Sequence, residues 1–309
     1  MPSLNAFGFV LGWGEISSLA AAFIWAISTT LYRVYGAATH PAWITIFKGT
    51  IASVLLVTTV LLTGGFQSIE MNRFLILSLS GVIGISLGDT AYFSAFPKIG
   101  AALTSAIQCL VPPMTALGAW LFLSETLNSK QILGLFVTCS CIAAIVVIDG
   151  GGWTKFFQPS GVSKSFKIGL VFAAIAAICQ STGVLLARKP LEGLSAPEGA
   201  SHRILVSLII LILWERFRSR LTIRSLPKEF VATKNFWQIA LASTLGTYLG
   251  LMAMVYGMTH APMGVALTLN STYPIWVIII EVIFFGRRLR LDSFVFQCCA
   301  ILGIFLIVS

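Results

Sequence analysis

The sequence predicts an all-α polytopic membrane protein, with ten transmembrane helices in two inverted five-helix repeats. Three observations predict it. The 309 residues are 57% hydrophobic and 10% charged, which leaves too few charges to keep a soluble protein of this size dispersed. The apolar residues form runs long enough to cross a bilayer. The chain also resembles itself at two fixed offsets.

Each apolar run predicts a helix, because the runs lack strand-like alternation and exceed strand length. A helix also satisfies its own backbone polar groups within lipid. The first run has no basic leader and no small-residue cleavage site, so we expect it to be retained. The runs cover about 14–35, 42–63, 74–95, 99–123, 131–149, 167–187, 200–216, 236–257, 262–285 and 291–308.

The internal repeat decides the arrangement of these spans. An offset of 155 residues aligns Trp25, Arg33 and Lys48 with Gln180, Arg188 and Arg203. An offset of 162 aligns Gly84, Leu87, Gly88, Ala91, Pro112, Phe122 and Leu127 with identical residues. Because each copy holds an odd number of spans, the copies must lie in opposite orientations, as in alternating-access carriers. We place the repeats at 1–150 and 160–309.

The distribution of basic residues predicts an orientation. Thirteen of the 20 Lys and Arg lie in connections after odd-numbered spans, whereas four lie after even-numbered spans. The positive-inside rule then makes the odd connections cytoplasmic and both termini external. The net charge of +9 therefore indicates membrane lipids as partners, and no nucleic acid.

Two segments carry a family resemblance. The first span, "AAFIWAISTTLYR", and the third and fourth, "GISLGDTAYFSAFPKIGAALTSAIQCLVPPMTALGAWLFLSETL", resemble EamA-type transporters of the drug/metabolite transporter superfamily. The resemblance implies a ten-helix carrier in the cell membrane, with the substrate cavity between the repeats. It also implies export of amino acids or related metabolites. The family usually has cytoplasmic termini, against the charge count, and acids ending helices 4 and 9. Glu125 fits the first acid, whereas Arg287 replaces the second.

Prolines inside the fourth and ninth spans predict helix breaks. Pro112 and Pro274 each leave unpaired the carbonyl group four residues earlier, which belongs to Gln108 and to Asn270. Pro113 does the same at Cys109. Polar groups at this depth are costly unless they face protein or water, so we expect Gln108 and Asn270 to bind substrate. The alternative is a packing kink, with the amides bonded to Thr104 or Ser271.

Four charged residues inside spans suggest what the cavity binds. Lys48 and Arg203 are equivalent and would attract a carboxylate or phosphate; the alternative is that both reach the lipid interface. Asp89 and Glu281 are candidates for proton coupling, since burial favours the neutral carboxyl group. The alternative for both acids is a structural bond, to a basic residue or, for Asp89, to a nearby hydroxyl.

Four further residues are candidate walls of the cavity. Trp25 and Gln180 are equivalents and lie too deep for the lipid interface. Tyr92 and Tyr248 also lie within spans and complete the predicted substrate-binding set. The alternative for the aromatic residues is helix packing.

No pattern in the sequence indicates catalysis. There is no phosphate loop after a strand, no histidine cluster, and no nucleophile with a base at motif spacing. We predict a secondary transporter of small metabolites without enzymatic activity, cofactor or bound metal, acting as a monomer or homodimer. The alternative is a non-transporting scaffold or sensor, or a lipid-handling membrane protein with the same fold.

Overall fold

The computed structural model describes residues 4–6, 9–36, 39–123, 128–149, 162–217, 235–261, 266, 269–286, 288 and 290–308. Its helices are α1 (Trp13–Tyr35), α2 (Pro41–Leu62), α3 (Met71–Gly81), α4 (Gly88–Ile107), α5 (Val111–Leu123), α6 (Ser129–Asp149), α7 (Lys164–Ala187), α8 (Ala196–Phe217), α9 (Phe236–Ser243), α10 (Gly250–His260), α11 (Tyr273–Phe285) and α12 (Leu291–Val308). Glu125 and Arg287 lie outside the described residues.

A short hairpin precedes the helices. Strands β1 (Leu4–Ala6) and β2 (Phe9–Leu11) pair antiparallel, with Asn5 opposite Val10. The hairpin precedes the first predicted span, and the spans themselves are helical, as predicted for an all-α membrane protein.

Helix length and composition make this a polytopic membrane protein. Within the described ranges, seven helical stretches are long and apolar enough to cross a membrane, and one of them, Met71–Phe122, is 52 residues long. Two shorter apolar helices, Tyr273–Phe285 and Leu291–Ile307, follow near the C-terminus. Lipid requires such segments to satisfy their backbone internally, which the helices do.

The long stretch is interrupted at Gly100 and again just before Pro112, and the second interruption lies where the prolines of the fourth span predicted a break. Gly100 has φ 79° and ψ 164°, a conformation that favours glycine and turns the chain inside α4. Further on, Gln108–Leu110 form a 3₁₀ turn before α5. Pro112 and Pro113 then occupy the first turn of α5, where a missing N–H costs least.

The ninth span is also interrupted, next to its proline. Leu269 and Asn270 are helical, residues 271–272 form a turn, and α11 begins at Tyr273 with Pro274 in its first turn. The predicted helix over 262–285 is therefore broken before Pro274. Its early residues 262–265, 267 and 268 lie outside the described residues.

Two π-helical segments are a feature that the sequence did not predict. Val82–Leu87 separates α3 from α4, and Thr244–Leu249 separates α9 from α10. Both have six residues, and they are 162 residues apart. Other boundaries recur in the same way. α2 and α8 each have 22 residues and start 155 apart, while α5 and α11 each have 13 and start 162 apart.

Contacts between connections define the two ends of the bundle. At one end, which we call the Lys98 end, the Asn235 amide contacts the Tyr35 carbonyl oxygen at 3.4 Å, and Lys98 packs beside Gly169. At the other, the Arg73 end, Arg73 Nε donates to the Pro190 carbonyl oxygen at 2.7 Å. α2 therefore starts at the Lys98 end, whereas α8 starts at the Arg73 end.

Small residues allow helices from the two halves of the chain to pack closely. A Cβ atom added to Gly183 of α7 would lie 2.8 Å from the Cα atom of Gly84 in the first π segment. A Cβ atom added to Gly250 of α10 would lie 2.6 Å from the Trp25 indole nitrogen of α1. α7 thus packs on the first π helix as α1 packs on the second, with backbones in near contact.

Candidate central site

The centre of the molecule contains two buried amides without partners. Gln108 is 6% exposed and Asn270 is 5% exposed, and neither side chain has a hydrogen-bond partner for its nitrogen or its oxygen among the described residues. Thr104, one of the alternative partners, instead donates to the Gly100 carbonyl oxygen at 2.6 Å. Since buried polar groups are normally hydrogen-bonded, this pair is a strong indication of a ligand site.

Contacts beside the two amides join the fourth and ninth spans. Cys109 Sγ lies 3.9 Å from the Ser271 carbonyl oxygen, and the Tyr273 hydroxyl lies 3.3 Å from the Ser105 carbonyl oxygen. Cys109 and Ser271 are 162 residues apart, so equivalent positions of the two halves meet here. A second such contact joins Thr138 of α6 to Ala300 of α12 at 3.3 Å.

Sequence reasoning missed Gln297, which lies beside this junction. Its side chain is fully buried, its Nε2 lies 3.2 Å from Cys109 Sγ, and its Oε1 has no partner within the described part of the chain. Leu135 occupies the position 162 residues earlier, so the repeat gave no signal. A glutamine within the apolar α12 was itself the signal that could have found it.

A charged cluster lies towards α2 and α8. Lys48 Nζ is 2.6 Å from Asp89 Oδ2, and both side chains are about one-seventh exposed, at 14% and 13%. Lys48 therefore does not reach the lipid interface. Lys48 is the eighth residue of α2, and Arg203 is the eighth residue of α8, so the two cations enter from opposite ends.

Arg203 shares this cluster without a direct ion pair in the described structure. Its backbone packs against Gly81 and its guanidinium approaches Gly84, while Asp89 is close enough to act on its charge. Its Nε atom is buried and unpartnered. Among the described residues, Asp89 forms its ion pair with Lys48 and acts on Arg203 only at longer range.

Buried aromatic rings also lie in this region of the structure. Tyr92 is 9% exposed, and Trp25 lies edge-on to Tyr273 with centroids 6.3 Å apart. The Trp25 indole donates to the Gly246 carbonyl oxygen at 2.9 Å. Gly246 lies in the second π segment, whose altered hydrogen bonding leaves carbonyl groups available to other donors. The hydrogen bond of Trp25 therefore also joins α1 to the second π segment.

Two other predicted wall residues lie at different positions. Gln180 packs beside Gly88, next to Asp89, where a Cβ on that glycine would lie 3.3 Å from the glutamine Cγ. Tyr248 is bonded to Thr59 at 2.8 Å and packs on a separate apolar cluster with Leu56 and Ile204. The structure thus brings Gln180 to the charged cluster but places Tyr248 nearer the Arg73 end.

Glu281 is paired elsewhere. It is 1% exposed and forms an ion pair with Arg33, near the end of α1. This contact ties α1 to α11 and leaves Asp89 as the acid beside the equivalent cations. Within the described ranges, His, Cys, Asp and Glu form no group of three that could hold a metal ion.

A cleft of about 440 Å³ opens at the Lys98 end. Its lining comprises Tyr32, Arg33, Gly36, Thr39, Pro41, Ile44, Phe93, Phe96, Pro97, Lys98 and Gly100. The predicted substrate-binding residues do not line it. Phe93 separates the cleft from the charged cluster, because Lys48 Nζ lies 5.5 Å from the centre of its ring.

The family comparison assigns the chain to a class of protein. The model of the EamA-like transporter family matches residues 12–148 and again residues 167–309. The chain belongs to the EamA-like transporter family. It is therefore an integral, multi-pass membrane protein of the transporter class, in the drug/metabolite transporter superfamily.

Curated relatives agree with the family but add no substrate. A protein of Archaeoglobus fulgidus, named an uncharacterized transporter, is 21% identical over 138 residues, covering 45% of this chain and 47% of the relative. The uncharacterized transporter YvbV of Bacillus subtilis is 25% identical over 134 residues, covering 43% and 44%. The matched region thus spans about half the length of each relative.

A solved structure extends the likeness over the whole EamA-like chain. The crystal structure of another protein matches this chain with a TM-score of 0.64 and 16% identity. The match covers 96% of this chain and 95% of the other. At this identity the likeness establishes the fold alone.

The pairing of Lys48 with Asp89 predicts a stability cycle. Lys48→Met should destabilise the transporter by about 3 kcal/mol, because it leaves the largely buried carboxylate of Asp89 without its ion-pair partner. Asp89→Leu should cost a similar amount, and the double variant should cost clearly less than the sum. Thermal unfolding in detergent gives the coupling energy. Additive losses would show that the two side chains do not interact.

Proposed function

We propose that this protein is a secondary transporter that moves a small metabolite with an anionic group by alternating access. Two five-helix repeats, at about 1–150 and 160–309, would lie in opposite orientations and supply ten crossings. The two family matches, the recurring helix boundaries and the opposite directions of α2 and α8 support this arrangement. Inverted repeats are typical of carriers that expose one site to alternate sides.

The unpartnered amides of Gln108 and Asn270 carry the proposal. Both lie where a helix is interrupted before a proline, both are more than nine-tenths buried, and both have a free donor and a free acceptor in the described structure. A structural kink would need no such groups. A polar solute between the halves would satisfy both amides at once, and Gln297 Oε1 would add an acceptor.

The charge balance favours an anion. Within the described part of the chain, Asp89 is the acid beside Lys48 and Arg203, and the Nε–H group of Arg203 is buried without a partner. A guanidinium fits a carboxylate or phosphate with two parallel hydrogen bonds. Amino acids and organic anions are therefore the substrate classes that we propose.

Asp89 gives the transporter a route to proton coupling. When the carboxylate takes up a proton, its ion pair with Lys48 is lost and the ammonium group becomes available to the substrate anion. When the proton leaves, Asp89 competes for Lys48 and the anion is released. Proton and substrate would then move together, since each favours the presence of the other.

The Gln108→Leu, Asn270→Leu double variant should abolish transport, because it removes both free amides while keeping the apolar volume. Uptake into proteoliposomes, screened over radiolabelled amino acids, nucleosides and organic anions, supplies the substrate and the measurement. A Gln67→Leu, Asn72→Leu variant changes two exposed amides and should keep full activity. Unchanged kinetics in the first variant, with normal membrane insertion, would refute the central site.

Asp89→Asn should abolish accumulation driven by a pH gradient, because the amide cannot take up the proton. Exchange of labelled for unlabelled substrate across the same vesicles should persist, since it needs no net proton movement. Glu70→Gln, which changes an exposed acid, is the matched control. Full gradient-driven accumulation by Asp89→Asn would make this residue structural.

We also place the Lys98 end in the cytoplasm of a cell with the protein in its cell membrane, following the positive-inside rule. Gln67→Cys, at the Arg73 end, should react with a membrane-impermeant maleimide on intact cells. Lys164→Cys, at the Lys98 end, should react only after permeabilisation. The unsubstituted protein sets the background. The reverse pattern would show the family's usual orientation, with cytoplasmic termini.

A further inference from the structure

We propose that the cleft at the Lys98 end is a second binding site, which takes an organic anion with a flat apolar body. The cleft lies between the end of α1, the start of α2 and the last turns of α4 before Gly100. Its volume of about 440 Å³ is within the usual range for small-molecule sites. The central amides and the charged cluster do not line it.

The inner wall of the cleft is aromatic. Tyr32, Phe93 and Phe96 are 4%, 4% and 7% exposed. Tyr32 packs edge-on to Phe93 at 4.9 Å, and Phe93 packs edge-on to Phe96 at 5.5 Å. The Tyr32 hydroxyl is held by Ser243 at 2.9 Å. These contacts hold the three rings in one arrangement, and the wall that they form is apolar and can pack against another aromatic ring.

The polar side of the cleft is basic. Arg33 and Lys98 line it, whereas aspartate and glutamate are missing from its described lining. Glu281 engages one nitrogen of Arg33, but the side chain remains 38% exposed, and a guanidinium has five N–H donors. Lys98 has no acidic partner among the described residues. Two cations beside an aromatic wall favour a carboxylate or phosphate joined to an apolar group.

Phe93 links this cleft to the central site. One side of its ring belongs to the cleft wall, and Lys48, the partner of Asp89, lies 5.5 Å from its centre. An anion in the cleft would thus be one aromatic layer from the charged cluster. The idea that transported solute enters through the cleft rests on the proposed carrier function. The binding of an anion to the cleft does not, because it is measured without transport.

The test uses the full-length protein in phosphatidylcholine nanodiscs, with 2-naphthoate as the probe and titration calorimetry as the measurement. Lys98→Gln should weaken binding at least about fivefold, because it removes a charge-assisted contact. Lys164→Gln removes a lysine at the same end outside the cleft and should leave binding unchanged. Thr39→Trp should fill the cleft and abolish binding without altering either cation.

Two further arms define the ligand. Neutral 2-naphthamide should bind at least about fivefold more weakly than 2-naphthoate. Nanodiscs containing phosphatidylglycerol distinguish the source of the anion: competition with 2-naphthoate indicates that a lipid headgroup occupies the cleft, and no competition indicates a free solute. Both results support a site for amphipathic anions.

The proposal is overturned if 2-naphthoate does not bind, if naphthamide binds equally well, or if Lys98→Gln and Lys164→Gln behave alike. Binding retained by a monodisperse Thr39→Trp variant would also overturn it. The Gln108→Leu, Asn270→Leu variant should still bind 2-naphthoate. If that variant loses transport and still binds 2-naphthoate, the central site and the cleft are separate. If Lys98→Gln loses binding and still transports substrate, the cleft has failed or succeeded independently of the central site.

Discussion

Water is absent from the hydrocarbon core, so each interrupted helical hydrogen bond must find another partner within the protein. This constraint explains how the two halves of the chain meet. The second π segment leaves carbonyl groups available, and the Trp25 indole donates to one of them, at Gly246. Ser28 of the same helix donates to the Ala242 carbonyl oxygen at 2.7 Å. One helix of the first half thus completes the backbone bonding of the second.

Against this background, the groups that remain unsatisfied are informative. A bundle that satisfies interrupted backbone at its helix contacts nevertheless leaves Gln108, Asn270 and part of Gln297 without partners in the described structure. The apolar residues around them would be more stable without these amides. The amides are useful in this position if their hydrogen bonds are completed by a bound solute, or by water that the solute displaces. The charged cluster differs from the amides, because one of its two cations, Lys48, is already paired with the carboxylate of Asp89.

Much of the fold could be predicted from the sequence, because long apolar runs and a repeated register have direct physical meaning. The prolines at 112 and 274 indicated where helices stop, and the breaks are found just before them. The equivalent pairs of amides and cations also followed from the repeat. The π segments did not, because an altered hydrogen-bond register depends on neighbours such as Trp25 rather than on local residue types.

Other parts of the site required the three-dimensional structure. The partner of Glu281 lies on α1, far away in sequence, so only packing could identify Arg33. Gln297 has a leucine as its equivalent, and no comparison of the halves could single it out. The cleft at the Lys98 end is built from three separate segments that no single motif connects.

The contacts of Cys109 with Ser271 and of Thr138 with Ala300 restrict how the two halves of the chain can differ in sequence. Where a position touches its own counterpart, the two residues share one space, and a larger side chain on one must be matched by a smaller one on the other. Positions that do not contact their counterparts in the other half are free of this restriction on side-chain size. Asp89 can therefore differ in charge from its counterpart Leu251 without disturbing the contacts between the two halves.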